Sequence, residues 1–371
     1  MAEKVFVIGG LSQSLVNFRG DLLKALRDMD LDVTALAGGD DQEVKSYLGK
    51  HHIGYRSYYI QNSGLNPLLD LKTLYELLRL FRKHKPHFIL AYTIKPVIWG
   101  GIAAKLSGTR YFPMITGLGY AFHGQTFKRR LLTKLVVALY RFSLRSAEAV
   151  IFQNPDNAEL FVAQKIIKRS QCRIVNGSGV NTEKFKPQQF VQPSADKVVF
   201  LCVARLLKDK GLREYAEAAS LVKKKYPFAR FQLIGPKDPS PNGISLNEVK
   251  TWDAIEYLGE VSDVRKYIGL SHVYVLPSYH EGVPRSTLEA MSIGRPVVTT
   301  NAVGCKETVS EGENGFMVDI GDVSQLVERF EWCILNSHEL EAMGQKSVRL
   351  VKDRFEVNKV NLSVLNILGL N

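Results

Sequence analysis

The chain has 371 residues, of which 45% are hydrophobic and 23% charged, and it carries a formal net charge of +12. That length exceeds a typical single core and predicts two domains, while the ordinary composition excludes disordered and collagen-like classes. No apolar run reaches the roughly 18–20 residues of a membrane span, and the N-terminus opens into a strand-like run without a signal-peptide pattern, which predicts a cytoplasmic protein.

From the N-terminus, short apolar runs alternate with helical patterns, the signature of βαβ units on a parallel sheet. Residues 5–8 read as a strand, followed by a glycine turn at Gly9-Gly10, a helix over 18–29 and a strand over 32–37. A basic helix over 71–84 precedes a buried strand over 87–92, a helix over 97–106, a strand over 111–115 and a long helix from near Thr126. Strands over 149–152 and 172–175 follow, then a glycine-bearing stretch at 177–181 and a polar, proline-bearing stretch over 184–197 that read as a linker. The second series has strands over 198–203, 231–234, 254–258, 273–276, 297–300 and 316–318, with helices over 212–225, 262–270 and 284–293 and more helices to the end. The expected division is a first domain over 1–180 and a second over 181–353, with 354–371 packing back toward the first. The pattern predicts an α/β chain of two Rossmann-like domains with parallel sheets facing across a cleft. Ligands in such sheets bind beyond the carboxyl ends of the strands.

Cys172, Cys202, Cys305 and Cys333 are scattered and make no CxxC pair, so neither a zinc site nor a disulfide framework is expected. The basic surplus predicts a polyanionic partner, and nucleic acid, anionic membrane and phosphorylated small molecules all fit that description. Only the placement of the charges can choose among them.

The sharpest motif runs from Ser278 to Met291 and contains Glu281, Gly282, Val283, Pro284, Arg285 and Glu289 between a strand and a helix. Pro suits a first helical turn, glycine permits close approach, and first-turn amides attract an anion. Two carboxylates flanking that helix start suit the hydroxyls of a nucleotide-sugar, although two solvated glutamates would look the same. Arg205, carried to the sheet edge by a buried strand, and Lys210-Gly211, at the next helix start, add a cationic pair for a diphosphate. Lys208 lies on the loop between them. No paired-Asp motif for a divalent ion is present, so no metal is expected.

In order and spacing these residues resemble the retaining GT-B glycosyltransferases of family 4. The match rests on Arg205, Lys210 and the Glu-x7-Glu pair Glu281 and Glu289. Gly235, Leu258-Gly259-Glu260-Val261, Val303-Gly304-Cys305-Lys306-Glu307 and Glu313-Asn314-Gly315-Phe316 extend it. Ala204 and Val303 depart from the family's usual glycines. The wording is similar to the branch acting on polyprenyl-diphosphate sugars in O-antigen, capsule and protein-glycan assembly. The resemblance implies catalysis by Arg205, Lys210, Glu281 and His123, and a ribose contact at Glu289. It further implies a donor site with Gly10, Gly235, Val261, Gly282, Val283, Pro284 and Arg285, and acceptor contacts at Asn17, Arg19, Gly117 and Gly119. It implies transfer of a hexosyl unit, such as N-acetylhexosamine, from a UDP-sugar to a lipid-diphosphate-linked saccharide, with no cofactor and no nucleic-acid partner.

Residues 127–146 form an amphipathic helix, with Arg130, Lys134, Arg141 and Arg145 on one stripe. Leu131, Leu132, Leu135, Val136, Leu139 and Phe142 fill the opposite arc. The stripe, with Lys128 and Arg129, is expected either to be a solvated face or to meet anionic lipid at the inner face of the cell membrane. The rival readings are a UDP-sugar 2-epimerase of the same fold, a nicotinamide-dependent oxidoreductase, and a non-enzymatic basic protein binding membrane or nucleic acid. The oxidoreductase is weakened by the absence of a G-x-G-x-x-G fingerprint.

Overall fold

The computed structural model of the chain describes residues 2–62, 64, 66–117, 127–193 and 197–370, with the backbone alone over 127–129. The chain divides into two compact units, Met1–Ser178 with Asn358–Asn371, and Gly179–Val357.

The first unit runs β1 (Lys4–Leu11), α1 (Ser12–Asp28), β2 (Asp32–Gly38), α2 (Gln42–Lys50), β3 (Gly54–Ser57), α3 (Pro67–His84) and β4 (Phe88–Tyr92). It continues through α4 (Ile94–Ser107), β5 (Arg110–Ile115), α5 (Phe127–Leu144), β6 (Val150–Phe152), α6 (Pro155–Ala163) and β7 (Cys172–Ile174). The seven strands are parallel in the order β3-β2-β1-β4-β5-β6-β7. Side chains alternate between the two faces of a strand. Val5 and Val7 of β1 therefore join a core with Leu15, Leu23 and Leu26 of α1, while Phe6 and Ile8 join Leu77, Phe81, Val97 and Val137 of α3, α4 and α5. A sheet covered on both faces explains why its central strands are continuous apolar runs.

The second unit holds β8 (Val198–Val203), α7 (Leu212–Lys225), β9 (Ala229–Ile234), α8 (Leu246–Val249), β10 (Ile255–Tyr257), α9 (Arg265–Leu270) and β11 (Val273–Leu276). α10 (Arg285–Ile293), β12 (Val297–Thr300), β13 (Gly315–Val318), α11 (Val323–Leu335) and α12 (Leu340–Leu350) complete it, on a parallel sheet ordered β10-β9-β8-β11-β12-β13. The last helix, α13 (Val357–Leu368), returns to the first unit, where Val364, Leu365 and Leu368 enter the core beside Val5 and Val7. The two crossings between units are tied together, since Val180 N donates to Phe355 O at 2.8 Å and Val357 N to Val180 O at 3.0 Å.

Three expectations change. Gly9 and Gly10 do not form a turn; β1 runs through them and α1 starts directly after it at Ser12, six residues earlier than expected. Asn17 and Arg19 thus sit in the body of a helix. The stretch after residue 183 is no free linker, because Phe185 and Phe190 are buried in the core of the second unit and Gln188 N donates to Ile293 O at 3.1 Å. Among the short elements, α2, β3 and α6 add to those the pattern shows.

Arg295 secures that strap. Its buried guanidinium donates to Ile268 O and Gly269 O at 3.0 and 2.9 Å, and it lies 5.0 Å from the Phe190 ring centroid. Beside it, buried His272 accepts from Val199 N at its Nδ1 (2.8 Å). Burial, with Arg295 and Lys197 nearby, lowers the His272 pKa to about 4. The unfolded chain takes up this proton near pH 6.5 and the folded chain only near 4. Unfolding is therefore increasingly favoured as the pH falls through that window. Chemical denaturation should show a loss of about 2–3 kcal/mol between pH 7 and pH 4 that is attributable to this residue and is removed in His272→Asn.

Candidate active site

In each sheet the strand order reverses once, between β1 and β4 in the first unit and between β8 and β11 in the second. Such switch points open a crevice beyond the strand ends, because the connections leave in opposite directions. The segments leading out of β8 and β11 hold Arg205 and Lys210 on one side and Glu281 on the other.

These segments are stitched together. The main-chain oxygen of Asp209 accepts from Tyr279 N at 2.8 Å and from Ser278 Oγ at 3.0 Å. Next to them Lys210 Nζ meets Glu281 Oε1 at 2.5 Å, with both side chains largely buried. Burial by itself would lower the Lys210 pKa, but Glu281 outweighs it and holds the ammonium above its ordinary value. Lys208, in the short turn before it, is exposed.

Arg205 projects further into solvent and donates from Nη1 to Asp238 Oδ2 at 2.9 Å. Asp238 belongs to the loop after β9 and is nearly buried; its Oδ1 accepts from Ser240 N at 2.9 Å. Burial pushes this carboxyl up, and the contacts from Ser240 and Arg205 more than reverse the shift, keeping it below its ordinary value. Asp238 is the member of this constellation that sequence reasoning missed. The available signal was its place three residues past Gly235, at the carboxyl end of a strand.

Glu289 lies one turn into α10 and pairs with Arg285 at 3.1 Å. Burial raises its pKa despite that arginine. Tyr274 Oη ties the helix start to the sheet, reaching Ser286 Oγ at 2.7 Å and Val203 O at 3.2 Å. Pro284 is the cap residue of α10, Val283 is buried, and Gly282 lies between Glu281 and Val283 in the same loop. On the neighbouring loops Gly235 N donates to Gly259 O at 2.9 Å, with half-buried Val261 two residues further along. The loop after β12 closes the stack, since Glu281 N donates to Val303 O at 2.9 Å.

The switch point of the first unit is built differently. Tyr58 Oη donates to Gly9 O at 2.8 Å, Asn62 Nδ2 to Gly10 O at 3.0 Å, and Ser14 Oγ meets Tyr92 Oη at 2.8 Å. Arg19 is buried, 5.0 Å from the Tyr92 ring centroid, and donates to Ser178 Oγ at 3.2 Å. Its guanidinium thus holds the end of the unit, whereas Asn17 is exposed. Gly117 follows β5; Gly119 and His123 lie outside the described residues. Among the described residues no group of three or more His, Cys, Asp or Glu side chains is placed to hold a metal ion.

On α5, Arg130, Lys134, Arg141 and the following Arg145 are exposed. Arg141 is also engaged, donating to Gln164 O at 2.6 Å at the end of α6. The opposite arc is not uniformly buried. Val136 is buried and Leu132 and Leu139 half-buried, but Leu131, Leu135 and Phe142 are each more than half exposed.

Comparison with known proteins fits this geometry. Residues 16–177 match the model of the glycosyl transferase 4-like domain, and residues 197–336 that of the glycosyl transferases group 1. The chain is 31% identical, over 87% of its length and 88% of the relative's, to the N,N'-diacetylbacillosaminyl-diphospho-undecaprenol alpha-1,3-N-acetylgalactosaminyltransferase of Campylobacter jejuni. The chain belongs to the group 1, family-4 glycosyltransferases. Another relative, the capsular polysaccharide biosynthesis glycosyltransferase CapM of Staphylococcus aureus, is 25% identical over 95% of this chain and 93% of its own. Among solved structures, Anabaena HepE in complex with UDP and glucose superposes with a TM-score of 0.79 at 19% identity, covering 99% of both chains, and shows the shared GT-B fold. Membership of this family makes the protein a hexosyltransferase and disfavours both the epimerase and the non-enzymatic reading.

The stacking of these loops makes a stability prediction. Gly304 has φ +79°, and a Cβ there would lie 2.4 Å from Glu281 O and Gly282 O, whereas one at Gly312, with φ +71°, would meet nothing within 4 Å. Both alanine variants incur backbone strain, but only Gly304→Ala must also displace main chain. Denaturant melts should show Gly304→Ala less stable by about 3 kcal/mol or more and Gly312→Ala by about 1 kcal/mol.

Proposed function

We propose that the protein transfers an N-acetylhexosamine unit, with retention, from a UDP-sugar to a lipid-diphosphate-linked saccharide during surface glycan assembly. The observation that carries this reading is the junction of Lys210, Glu281, Arg205 and the start of α10 at one switch point. It combines cations for a diphosphate with carboxylates for hydroxyls. The choice of sugar and acceptor is supported by the name of the Campylobacter jejuni relative, which acts on an undecaprenol-diphosphate-linked saccharide.

Arg205 and Lys210 neutralise the charge that grows on the departing diphosphate, assisted by the first-turn amides of α10. Glu281 takes hydroxyls of the transferred sugar and Glu289 those of the ribose, while Val261 and Gly235 flank the base. Gly10 approaches the donor phosphates; Asn17, Gly117 and Gly119 belong to the acceptor side, and Arg19 supports that side by holding Ser178. His123 contacts the transferred sugar. No side chain is required as a nucleophile, because the leaving phosphate assists the incoming hydroxyl, and the cationic pair takes the place of a metal.

The protein works at the cytoplasmic membrane face, held peripherally by the basic side of α5. No described helix is long and apolar enough to cross a membrane. Attraction between exposed charges is screened beyond about 8 Å at physiological ionic strength. Co-sedimentation with anionic vesicles should therefore fall as salt rises, and fall further at low salt in Arg130→Gln/Lys134→Gln. Equal binding to neutral and anionic vesicles would count against this placement.

The active-site assignment is tested by transfer kinetics with chelator present throughout. Hydrogen bonds to charged groups contribute roughly 1.5–3 kcal/mol, so Arg205→Ala and Lys210→Ala should each lose on the order of ten- to several-hundred-fold in kcat/KM. Most of the loss should appear in kcat, because the diphosphate charge develops toward the transition state. Lys208→Ala removes the same charge from the adjacent exposed position and should change little. Glu289→Ala should instead weaken binding of UDP and UDP-sugar alike. Near-normal transfer by folded Arg205→Ala and Lys210→Ala would remove the assignment.

A further inference from the structure

The chain's basic surplus is concentrated on one layer. Helices α3, α4 and α5 cover the same face of the first sheet, with α4 in the middle, and contribute Leu77, Phe81, Val97, Ile98, Val136 and Val137 to a common core. Their sequences hold eleven Lys and Arg residues against two acidic ones, a surplus of nine out of the chain's +12. Both acids are occupied. Asp70 is buried and paired with Lys95 at 2.7 Å, and Glu76 accepts from Tyr59 N at 2.5 Å.

On this layer α3 carries an apolar stripe that its own unit does not cover. Leu68, Leu71 and Tyr75 are 74%, 54% and 66% exposed. They recur at helical spacing on one face, and exposed Arg79 and Arg82 continue the same line toward the C-terminus. The first half of α3 thus presents two leucines and a tyrosine, flanked by Lys72, and the second half presents only cations. On the other side of α4, α5 repeats the mixture with exposed Leu131, Leu135 and Phe142 beside Arg130 and Lys134.

We propose that α3 is a second membrane-contacting element, whose first two turns insert Leu68, Leu71 and Tyr75 into the headgroup–acyl boundary of an anionic bilayer. The inference rests on the peripheral membrane placement proposed above and adds an apolar component to it. An interfacial helix needs an apolar side to enter the boundary and cations to meet the lipid phosphates, and a tyrosine suits the polar edge of that boundary. The local charge fits an anionic lipid surface. A nucleic acid would use the cations and leave the leucines without a role.

The two contributions respond differently to salt. Contact through charge is screened, while apolar insertion persists at high ionic strength. The test uses the full chain with vesicles of phosphatidylglycerol and phosphatidylcholine. Leu71→Trp should lose tryptophan emission on vesicles of brominated lipid relative to unbrominated ones, and by more than the parent, which has Trp99, Trp252 and Trp332. The triple variant Leu68→Ser/Leu71→Ser/Tyr75→Ser should bind on the order of tenfold more weakly at about 0.5 M salt, with an unchanged melting temperature. Arg130→Gln/Lys134→Gln should show its deficit only at low salt.

If the parent binds vesicles but Leu71→Trp is not quenched and the triple variant binds normally, α3 stays outside the bilayer and this inference fails while the α5 placement stands. If the parent binds no vesicle at any salt, both fail. A lipid-free parent dimer that becomes a monomer in the triple variant would assign the stripe to self-association and overturn the proposal. So would duplex RNA or DNA binding that the triple variant retains, in the absence of vesicle binding.

Discussion

The candidate active site depends on one junction, where the loop leaving β8 and the loop leaving β11 are pinned to each other. Asp209 contributes a main-chain oxygen with two donors, and Lys210 and Glu281 close the contact from their side chains. Gly211 lies where a side chain is excluded, since a Cβ there would sit 2.0 Å from Pro277 O. Residues more than sixty positions apart therefore converge because the sheet order reverses between their strands. The third loop, after β12, is in turn registered on Glu281 through Val303 and Gly304. Removing charge from the junction would leave a buried partner uncompensated, which costs more than an exposed ion pair is worth.

The same junction sets the electrostatics of the proposed reaction. Lys210 already has a carboxylate, so a donor diphosphate must share it with Glu281. Arg205 is held more loosely at an exposed position, but its partner Asp238 is fixed by Ser240 and nearly buried. The arginine can turn about an anchored acceptor while keeping one contact, and a planar guanidinium has further N–H groups for phosphate oxygens. One cation is rigid and buried, the other adjustable and hydrated, which suits a group whose charge is redistributed as the glycosidic bond breaks.

How much of this was legible in the sequence varies by feature. In the second unit β8 and β11 are unbroken apolar runs, and α7, β8, β11 and β12 lie where the pattern puts them. Gly9 and Gly10 mislead because glycine usually signals a turn, yet here it keeps β1 slim beneath Tyr92 and Asn62, whose side chains a Cβ would strike. The stretch from 184 to 197 reads as a linker from its polar content, but Phe185 and Phe190 supply enough apolar surface to strap it down. The exposed leucines of α5 escape a periodicity argument entirely. Periodicity finds an apolar arc, but only the packing partners decide how much of that arc is covered, and α4 covers only part of it. Asp238 offered only its place past a strand end for a related reason, since its pairing with Arg205 joins the loop after β9 to the loop after β8.

The two switch points differ in chemistry as well as sequence. In the second unit the strand ends carry Arg205, Lys210, Glu281 and Glu289, all charged groups. In the first unit, among the described residues, the corresponding place brings together neutral donors and acceptors, Ser14, Tyr58, Asn62 and Tyr92, and burial drives the Tyr92 hydroxyl up to about 12, so it stays protonated. Arg19, near Tyr92, is buried and donates to Ser178. A charged crevice suits a diphosphate leaving group, and a crevice of hydroxyls and amides suits an uncharged polyhydroxyl. Within a single fold type, this difference in chemistry supports the proposed placement of the donor's nucleotide portion at the second unit and of the acceptor's saccharide portion at the first.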